Sequence, residues 1–250
     1  MRAPLAKREP GIVLATVFAV IGVAILIGLG VWQLERKTWK ENLIAAITAR
    51  VDQPAEQLPA RGNWARLNAG TDEYRRVTFR GEFLKRPAAL VYTAGSALRP
   101  DVSGAGYWVF APARLADGGV IAVNRGFVPY DRKDVATHVQ GEPEGMSDIV
   151  GFMRWPETAG LFTPAHESND NVWYLRDPQA MAQAENWGTV APFYIDQESP
   201  VPPGGLPKPG KIEVSLPDNH LQYAITWFGL ALGLTGVYAL WLVRRLNARA

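Results

Sequence analysis

The sequence predicts a membrane protein in which two transmembrane α-helices flank a mainly antiparallel β (α+β) domain outside the cytoplasm. Three observations predict this fold class. Two apolar segments without charged residues lie near the two ends of the 250-residue chain. Basic residues border both segments on the sides that would face the cytoplasm. Between them, several short segments alternate apolar and polar residues, which is typical of β-strands.

Composition excludes several classes of function. The chain contains no cysteine, which excludes disulfides, thiolate metal sites, covalent c-type haem attachment and cysteine nucleophiles. The formal charge of +2 is too small to indicate a nucleic-acid partner. The three histidines, His138, His166 and His220, lie too far apart in the sequence to form a local metal-binding motif.

Residues 11–34 carry no charge and predict the first transmembrane helix. At a rise of 1.5 Å per residue the segment extends roughly 36 Å, which is enough to cross a hydrocarbon core of about 30 Å with some tilt. A cleaved signal peptide is the alternative, but its apolar run would be shorter and followed by a small-x-small cleavage site. Residues 1–10, with Arg2, Lys7 and Arg8, would form a cytoplasmic N-terminus.

Residues 218–243 predict the second transmembrane helix, because residues 221–243 again include no charged side chain. Arg244 and Arg245 follow it, and residues 244–250 would form a cytoplasmic C-terminus. By the positive-inside rule, both termini face the cytoplasm.

Both predicted spans carry small residues at a spacing of four, which lets helices approach one another closely. Two arrangements are compatible with this pattern. Either the small residues pack the spans together or on a partner, or they face lipid. The pairs are Ala15 and Ala19, Ala24 and Gly28, and Gly229 and Gly233.

Residues 35–217 predict an extracytoplasmic domain in three parts. The helical pattern of the first span continues over 35–50, and Pro54 then interrupts it. A β-rich part follows over 74–196. Proline and glycine dominate residues 198–217, which predicts an extended connector back to the membrane.

Short strands joined by tight turns favour a closed or nearly closed antiparallel sheet over a parallel α/β fold. Asp117-Gly118-Gly119 predicts a hairpin turn, and Asp177 is suited to cap a short helix that starts at Pro178. The predicted strands are Tyr74–Arg80, Ala89–Thr93, Tyr107–Leu115, Val120–Asn124, Asp148–Met153, Val172–Leu175 and Pro192–Ile195.

The sequence contains no phosphate-binding glycine loop, nucleophile elbow or paired-histidine helix. The motif Asn124-Arg125-Gly126 is polar and directly follows an apolar strand. Arg125 could bind an anion there. The alternative is a strand end at which Gly126 supplies an unusual backbone angle.

His220 is the candidate ligand that the sequence singles out. It follows Asp218 and Asn219, either of which can cap the second span, so His220 lies in the first helical turn. Tyr223 and Trp227 share its helix face. A neutral imidazole at this position can ligate a metal or haem iron. Alternatively, His220 is an interfacial residue that hydrogen-bonds only to water or lipid head groups.

Several motifs of this chain resemble those of the Surfeit locus protein 1 family of cytochrome c oxidase assembly factors. Gly30–Lys40 is similar to the end of the family's first span, and Asn219–Ala224 to the start of its second. Tyr74–Val77 and Val123–Pro129 are similar to motifs of its domain. Phe127 stands where the family often has tryptophan.

The resemblance implies a factor that binds haem a and assists its insertion into oxidase subunit I, with His220 as ligand of the haem iron. The position of other residues on the two spans suggests how they would contribute. Trp32, Tyr223 and Trp227 are candidates to pack on the macrocycle, and Arg36, Lys37 and Lys40 to contact the propionates.

Two other functions remain open at this point. One is a scaffold that holds nascent oxidase subunit I without binding haem, and the other is a membrane-anchored enzyme, which the missing catalytic set disfavours. The expected partners are subunit I, haem a synthase and the lipid bilayer, with no nucleic acid. The expected location is the bacterial cytoplasmic membrane with a periplasmic central domain, and the mitochondrial inner membrane is the alternative.

Overall fold

The computed structural model describes residues 10–134, 145–160, 163–164, 172–214 and 218–248. Five residues that the sequence brought into the argument lie outside this part of the chain: Arg2, Lys7, Arg8, His138 and His166. The chain divides into two compact units, one formed by Met1–Ile44 with Pro217–Ala250 and the other by Ala45–Leu216.

The described helices and strands follow one another in this order. The helices are α1 (Pro10–Val51), α2 (Ala69–Asp72), α3 (Pro178–Ala184) and α4 (His220–Asn247), with short 3-10 helices at Arg61–Arg66 and Tyr130–Arg132. The strands are β1 (Glu56–Gln57), β2 (Arg76–Phe83), β3 (Ala89–Gly95), β4 (Ser103–Leu115), β5 (Val120–Pro129), β6 (Ser147–Arg154), β7 (Val172–Trp173) and β8 (Val190–Ser199).

Helices α1 and α4 are long and apolar enough to cross a membrane. Helix α1 runs without interruption from Pro10 to Val51, so the apolar segment 11–34 and the helical pattern of 35–50 belong to one helix. It ends three residues before Pro54, whose ring and missing N–H are incompatible with a continued helix.

The two long helices pack antiparallel, and glycines on α1 allow the approach. A Cβ atom at Gly30 would lie 2.6 Å from the ring of Phe228, and one at Gly22 would lie 3.0 Å from Leu234 Cδ2. At the other end of the pair, Thr16 Oγ1 lies 2.5 Å from the hydroxyl oxygen of Tyr238.

The predicted small-residue pairs are only partly in this contact. Ala15 and Ala19 are half-buried on the face of α1 that meets α4. Gly28, Gly229 and Gly233, in contrast, have no described residue within 4 Å of an added Cβ atom. The glycines that pack the pair therefore differ from those that the spacing of four suggested.

Five strands of the second unit form a closed ring in the order β2, β6, β8, β5 and β4. The pairing of β4 with β2, from Gly81 opposite Leu115 to Phe83 opposite Ala113, closes it. Strand β1 adds to β2, and β3 with β7 adds to β4. The expectation of a closed sheet is confirmed.

The sheet is mixed with antiparallel pairings in the majority, so the prediction of a mainly antiparallel arrangement is confirmed in part. Among the described strands, five pairings are antiparallel, and the pairings β1–β2, β3–β7 and β5–β8 are parallel. Parallel neighbours are joined by long crossovers rather than by tight turns. Such a crossover separates β5 from β8 in the chain, and alternation within a strand carries no information about it.

Local signals place the hairpin and the short helix correctly. The chain turns between β4 and β5 at Asp117-Gly118-Gly119, where the N–H of Gly118 donates to the carbonyl of Leu115 at 3.0 Å. The Asp177 side chain accepts hydrogen bonds from two backbone N–H groups at the start of α3. Helix α3 then packs Met181 into an apolar cluster with the sheet.

Strand β5 continues beyond Asn124 to Pro129, so the motif Asn124-Arg125-Gly126 lies inside a strand and not at its end. Gly126 has a φ of 124°, and a Cβ atom there would lie 2.2 Å from the backbone of Lys208. Phe127 exchanges two backbone hydrogen bonds with Lys208, at 3.0 and 2.8 Å. The missing side chain of Gly126 thus lets the proline-rich connector lie directly on the barrel.

Arg99 holds the same connector from the other side. Its buried guanidinium donates to the carbonyl oxygens of Lys208, Pro209 and Gly210. Asp101 accepts from Arg99 at 2.7 Å and pairs with the Lys208 amine at 2.8 Å. The hydrogen bonds from Arg99 hold the pKa of the Asp101 carboxyl well below its usual range. Asp101 therefore remains charged at neutral pH and keeps the cluster paired.

Replacing Gly126 with alanine is expected to destabilise the unit that contains the sheet, Ala45–Leu216, which we call the sheet unit. The reason is that the new side chain would collide with the Lys208 backbone. A non-glycine residue at positive φ costs on the order of 1–3 kcal/mol by itself, and the collision adds to this. Urea unfolding of the purified full-length protein in detergent measures the loss. Gly95→Ala is the matched control, because Gly95 has a φ of 140° with nothing within 4 Å of its added Cβ. Equal losses in both variants would contradict a role for the Lys208 approach.

Candidate functional site

The candidate site is located at the N-terminal end of α4, where His220 meets α1. His220 is the first residue of α4. Its backbone N–H donates to Asp218 Oδ1 at 3.0 Å, whereas Asn219 makes no side-chain capping bond. Of the two predicted caps, Asp218 therefore supplies the hydrogen bond that fixes the His220 backbone.

The imidazole of His220 contacts an amide on the other helix. Its Nδ1 atom lies 2.7 Å from Gln33 Oε1 on α1. Within the described part of the chain, the other ring nitrogen, Nε2, has no hydrogen-bond partner. His220 as a whole is half-buried, so its side chain is not closed off from solvent.

Small residues on both helices near His220 let the two helices come close enough for this contact. Ala224, one turn after His220, is 1% exposed. One further turn along, the Phe228 ring packs on Gly30, which precedes Gln33 by one turn of α1. Because 3.6 residues make a turn, Gln33 and Gly30 lie on one face of α1, as do His220, Ala224 and Phe228 on α4.

The other residues proposed from the sequence lie in different environments. Trp32 and Tyr223 are exposed, at 54% and 55%, and Trp227 is half-buried. The Arg36 guanidinium carbon lies 4.0 Å above the ring of Trp39. The structure thus brings His220 to Gln33 and Arg36 to Trp39, and it leaves two aromatic side chains on the outside of the pair.

The cations suggested alongside Arg36 are half-buried on α1. Lys37 forms an ion pair with Glu41, one turn further along the helix. Neither Lys37 nor Lys40 lies within the apolar segment 11–34.

Sequence reasoning did not single out Gln33. The signal was nevertheless present, because Gln33 is the only amide residue in the uncharged segment 11–34. An amide near the end of an apolar helix needs a hydrogen-bond partner, and a histidine at the start of a second apolar helix can provide it.

Arg125, the candidate anion-binding residue, is a buried structural side chain. It is 2% exposed, and its guanidinium carbon lies 4.5 Å from the centre of the Phe83 ring. An anion in solvent cannot reach it. The positive φ of Gly126 agrees with the alternative interpretation of this motif, although the strand does not end there.

A polar cavity in the sheet unit is too small to bind an organic ligand. Its volume is about 20 Å³, which is room for one water molecule. The charges around it pair with one another, because Arg154 binds Glu73 at 3.2 Å and Asp196 at 3.0 Å. Among the described residues, no group of three or more histidine, aspartate or glutamate side chains could hold a metal ion.

Comparison with known proteins identifies the family. The sequence model of the SURF1 family matches residues 20–232, a range that contains both Gln33 and His220. The chain belongs to the SURF1 family. The resemblance seen in the motifs is confirmed.

Surfeit locus protein 1 of several animals is similar to this SURF1 family chain over most of its length. The human protein is 36% identical over 217 residues, which are 82% of this chain and 69% of the human one. The Takifugu rubripes protein is 35% identical, with 85% and 90% covered. A SURF1-like protein of Monosiga brevicollis is 33% identical, with 92% and 87% covered.

Replacing Gly30 with leucine is expected to separate α1 from α4, because the side chain would occupy the position of the Phe228 ring. The chain has no cysteine, so a Gly22→Cys/Leu234→Cys pair reports the contact by the rate of disulfide cross-linking. Gly30→Leu should slow the cross-link, and Gly28→Leu, which enters open space on the same helix, should not. Equal rates in the two variants would show that Gly30 does not set the approach.

Proposed function

We propose that this protein is a membrane-anchored assembly factor for cytochrome c oxidase, which binds haem a and assists its insertion into subunit I. The proposed connection with cytochrome c oxidase rests on the role that the resemblance to the family implies. The imidazole of the half-buried His220, held at Nδ1 by Gln33, is the observation that supports haem binding.

The surface of the helix pair supports insertion into a bilayer. Large apolar side chains point away from the pair on both helices, with Phe18 66% and Leu232 75% exposed. Apolar surface of this extent is unfavourable in water and favourable in lipid. Arg244 and Arg245 occupy the last turn of α4, which by the positive-inside rule supports a topology with both termini in the cytoplasm. We assign the protein to a bacterial cytoplasmic membrane, with the sheet unit in the periplasm.

The residues at the end of the helix pair fit a haem. A histidine imidazole is a common axial ligand of haem iron, and His220 offers the Nε2 atom. The exposed rings of Trp32 and Tyr223 provide flat apolar surface for a macrocycle. The exposed Arg36 guanidinium can pair with a propionate. An apolar haem tail would enter the lipid beside the helices.

The haem is cargo in this proposal, so the protein must bind it and also release it. His220 holds the iron, and the aromatic side chains hold the ring by packing. The proposed role is that of a binding protein rather than of an enzyme. Subunit I is the partner that receives the haem, and haem a synthase is the partner that supplies it.

Replacement of His220 with alanine is expected to abolish or shift the haem a absorption spectrum of protein purified from a host that makes haem a. The reason is that alanine removes the iron ligand. His166→Ala is the control for the loss of a histidine as such. An unchanged spectrum and haem stoichiometry in the His220→Ala protein would exclude this residue as the ligand.

Co-purification with oxidase subunit I separates the two assembly functions. A haem-handling factor should lose haem in His220→Ala, with oxidase in the cell remaining deficient in haem a. If wild-type protein carries no haem a while subunit I co-purifies with it, the function is that of a scaffold, and the haem-binding part of the proposal is wrong.

A further inference from the structure

We propose that Gln33 is a positioning residue that fixes the tautomer and orientation of His220, so that Nε2 is the nitrogen available to a ligand. The effect on the tautomer stands on the geometry of the helix pair alone. The effect on bound haem rests on the proposed function.

The hydrogen bond between Gln33 and His220 has a fixed direction. Gln33 Oε1 faces Nδ1 of His220 at 2.7 Å. A carbonyl oxygen can only accept, so the ring nitrogen must carry the proton in this contact. In a neutral imidazole only one nitrogen is protonated, and Nε2 then keeps its lone pair. A lone pair on Nε2 is what a metal ion requires of this side chain.

The second step is the rigidity of the arrangement. Asp218 fixes the backbone of His220 by accepting its N–H at 3.0 Å, and Gln33 fixes the ring. Asp218 lies just before α4 and Gln33 lies on α1, so the backbone and the ring of His220 are each held by a separate partner. Rotation of the ring would break the hydrogen bond to Gln33. The Gln33 amide would then lose this partner next to an apolar helix, which is unfavourable.

The third step is the position of Gln33 relative to the packing. Gly30 and Gln33 are one turn apart on the face of α1 that meets α4, and the buried Ala224 lies one turn from His220. The close approach of the backbones brings the amide within reach of the ring. A histidine that ligates a metal usually donates its other N–H to an oxygen acceptor, which raises its basicity as a ligand. Gln33 occupies the place of such an acceptor.

The variants Gln33→Leu and Gln33→Glu change this acceptor in opposite ways. Leucine removes it and leaves the tautomer free to change. Glutamate keeps an oxygen acceptor and strengthens it, which increases the negative character of the imidazole. Gln222→Leu and Gln222→Glu are matched controls, because Gln222 is an exposed glutamine at the same end of α4.

The ligand-free protein provides the first readout. Nitrogen NMR of protein labelled in the histidine rings reports the tautomer, and the His220→Ala spectrum assigns the signal of His220. Wild type, Gln33→Glu and both Gln222 variants should carry the proton on Nδ1, and Gln33→Leu should shift toward Nε2–H. A wild-type ring with its proton on Nε2, or a tautomer that Gln33→Leu leaves unchanged, would overturn the inference whether or not haem a binds.

Haem a provides the second readout. Removing an acceptor of this kind typically weakens a bound metal about 10- to 100-fold, so Gln33→Leu should lower haem a affinity within that range. The reduction potential of the bound haem should fall in Gln33→Glu and rise in Gln33→Leu, and the Gln222 variants should match wild type. General damage to the helix pair would not shift the potential in opposite directions.

The outcomes separate the two proposals. If wild-type protein binds no haem a, the proposed function fails, and the NMR result alone decides the role of Gln33. If haem a binds through His220 but both Gln33 variants keep the wild-type affinity and potential, the positioning role is wrong and the proposed function stands.

Discussion

The ring of Phe228 fills the space that Gly30 leaves open on α1, and the other contacts of the candidate site depend on this approach. A side chain at Gly30 would move the helices apart where Gln33 reaches His220. The hydrogen bond between Gln33 and His220 acts only over a short distance. It can form only because apolar packing brings the two helix backbones close. Packing in the apolar part of the pair thus determines the chemistry at its end.

The sheet unit shows the same relation between a missing side chain and a long-range contact. Gly126 lets the backbone of Lys208 lie on β5, and Arg99 secures this segment through three carbonyl oxygens. Buried arginines are costly unless they are paired, and here carbonyl oxygens and the Asp101 carboxylate satisfy the guanidinium. The connector that leads to α4 is therefore a fixed part of the barrel wall up to this point.

Features set by neighbouring residues could be predicted from the sequence. The uncharged segments predicted both long helices, and the alternation of apolar and polar residues predicted the strands. The cap at Asp177 and the turn at Gly118 could be predicted from the chemistry of those residues. Contacts between distant segments could not be predicted. The parallel pairing of β5 with β8 depends on the path of the crossover, and the extension of β5 past Asn124 depends on pairing with the start of β4 and on the bridge to Lys208. Periodicity placed glycines on helix faces, but it could not tell Gly30, which meets Phe228, from the exposed Gly28, since lipid and a partner helix are both apolar.

The position of β8 has a consequence for the order in which the molecule forms. It is the last of the described strands in the chain and also a member of the closed ring, between β6 and β5. During synthesis the barrel must therefore remain open until Ser199 has been made, with the edges of its neighbours unpaired. Helix α4 follows later still, so His220 can meet Gln33 only after every strand has left the ribosome. The contact between His220 and Gln33 can therefore form only after the whole sheet has been synthesised.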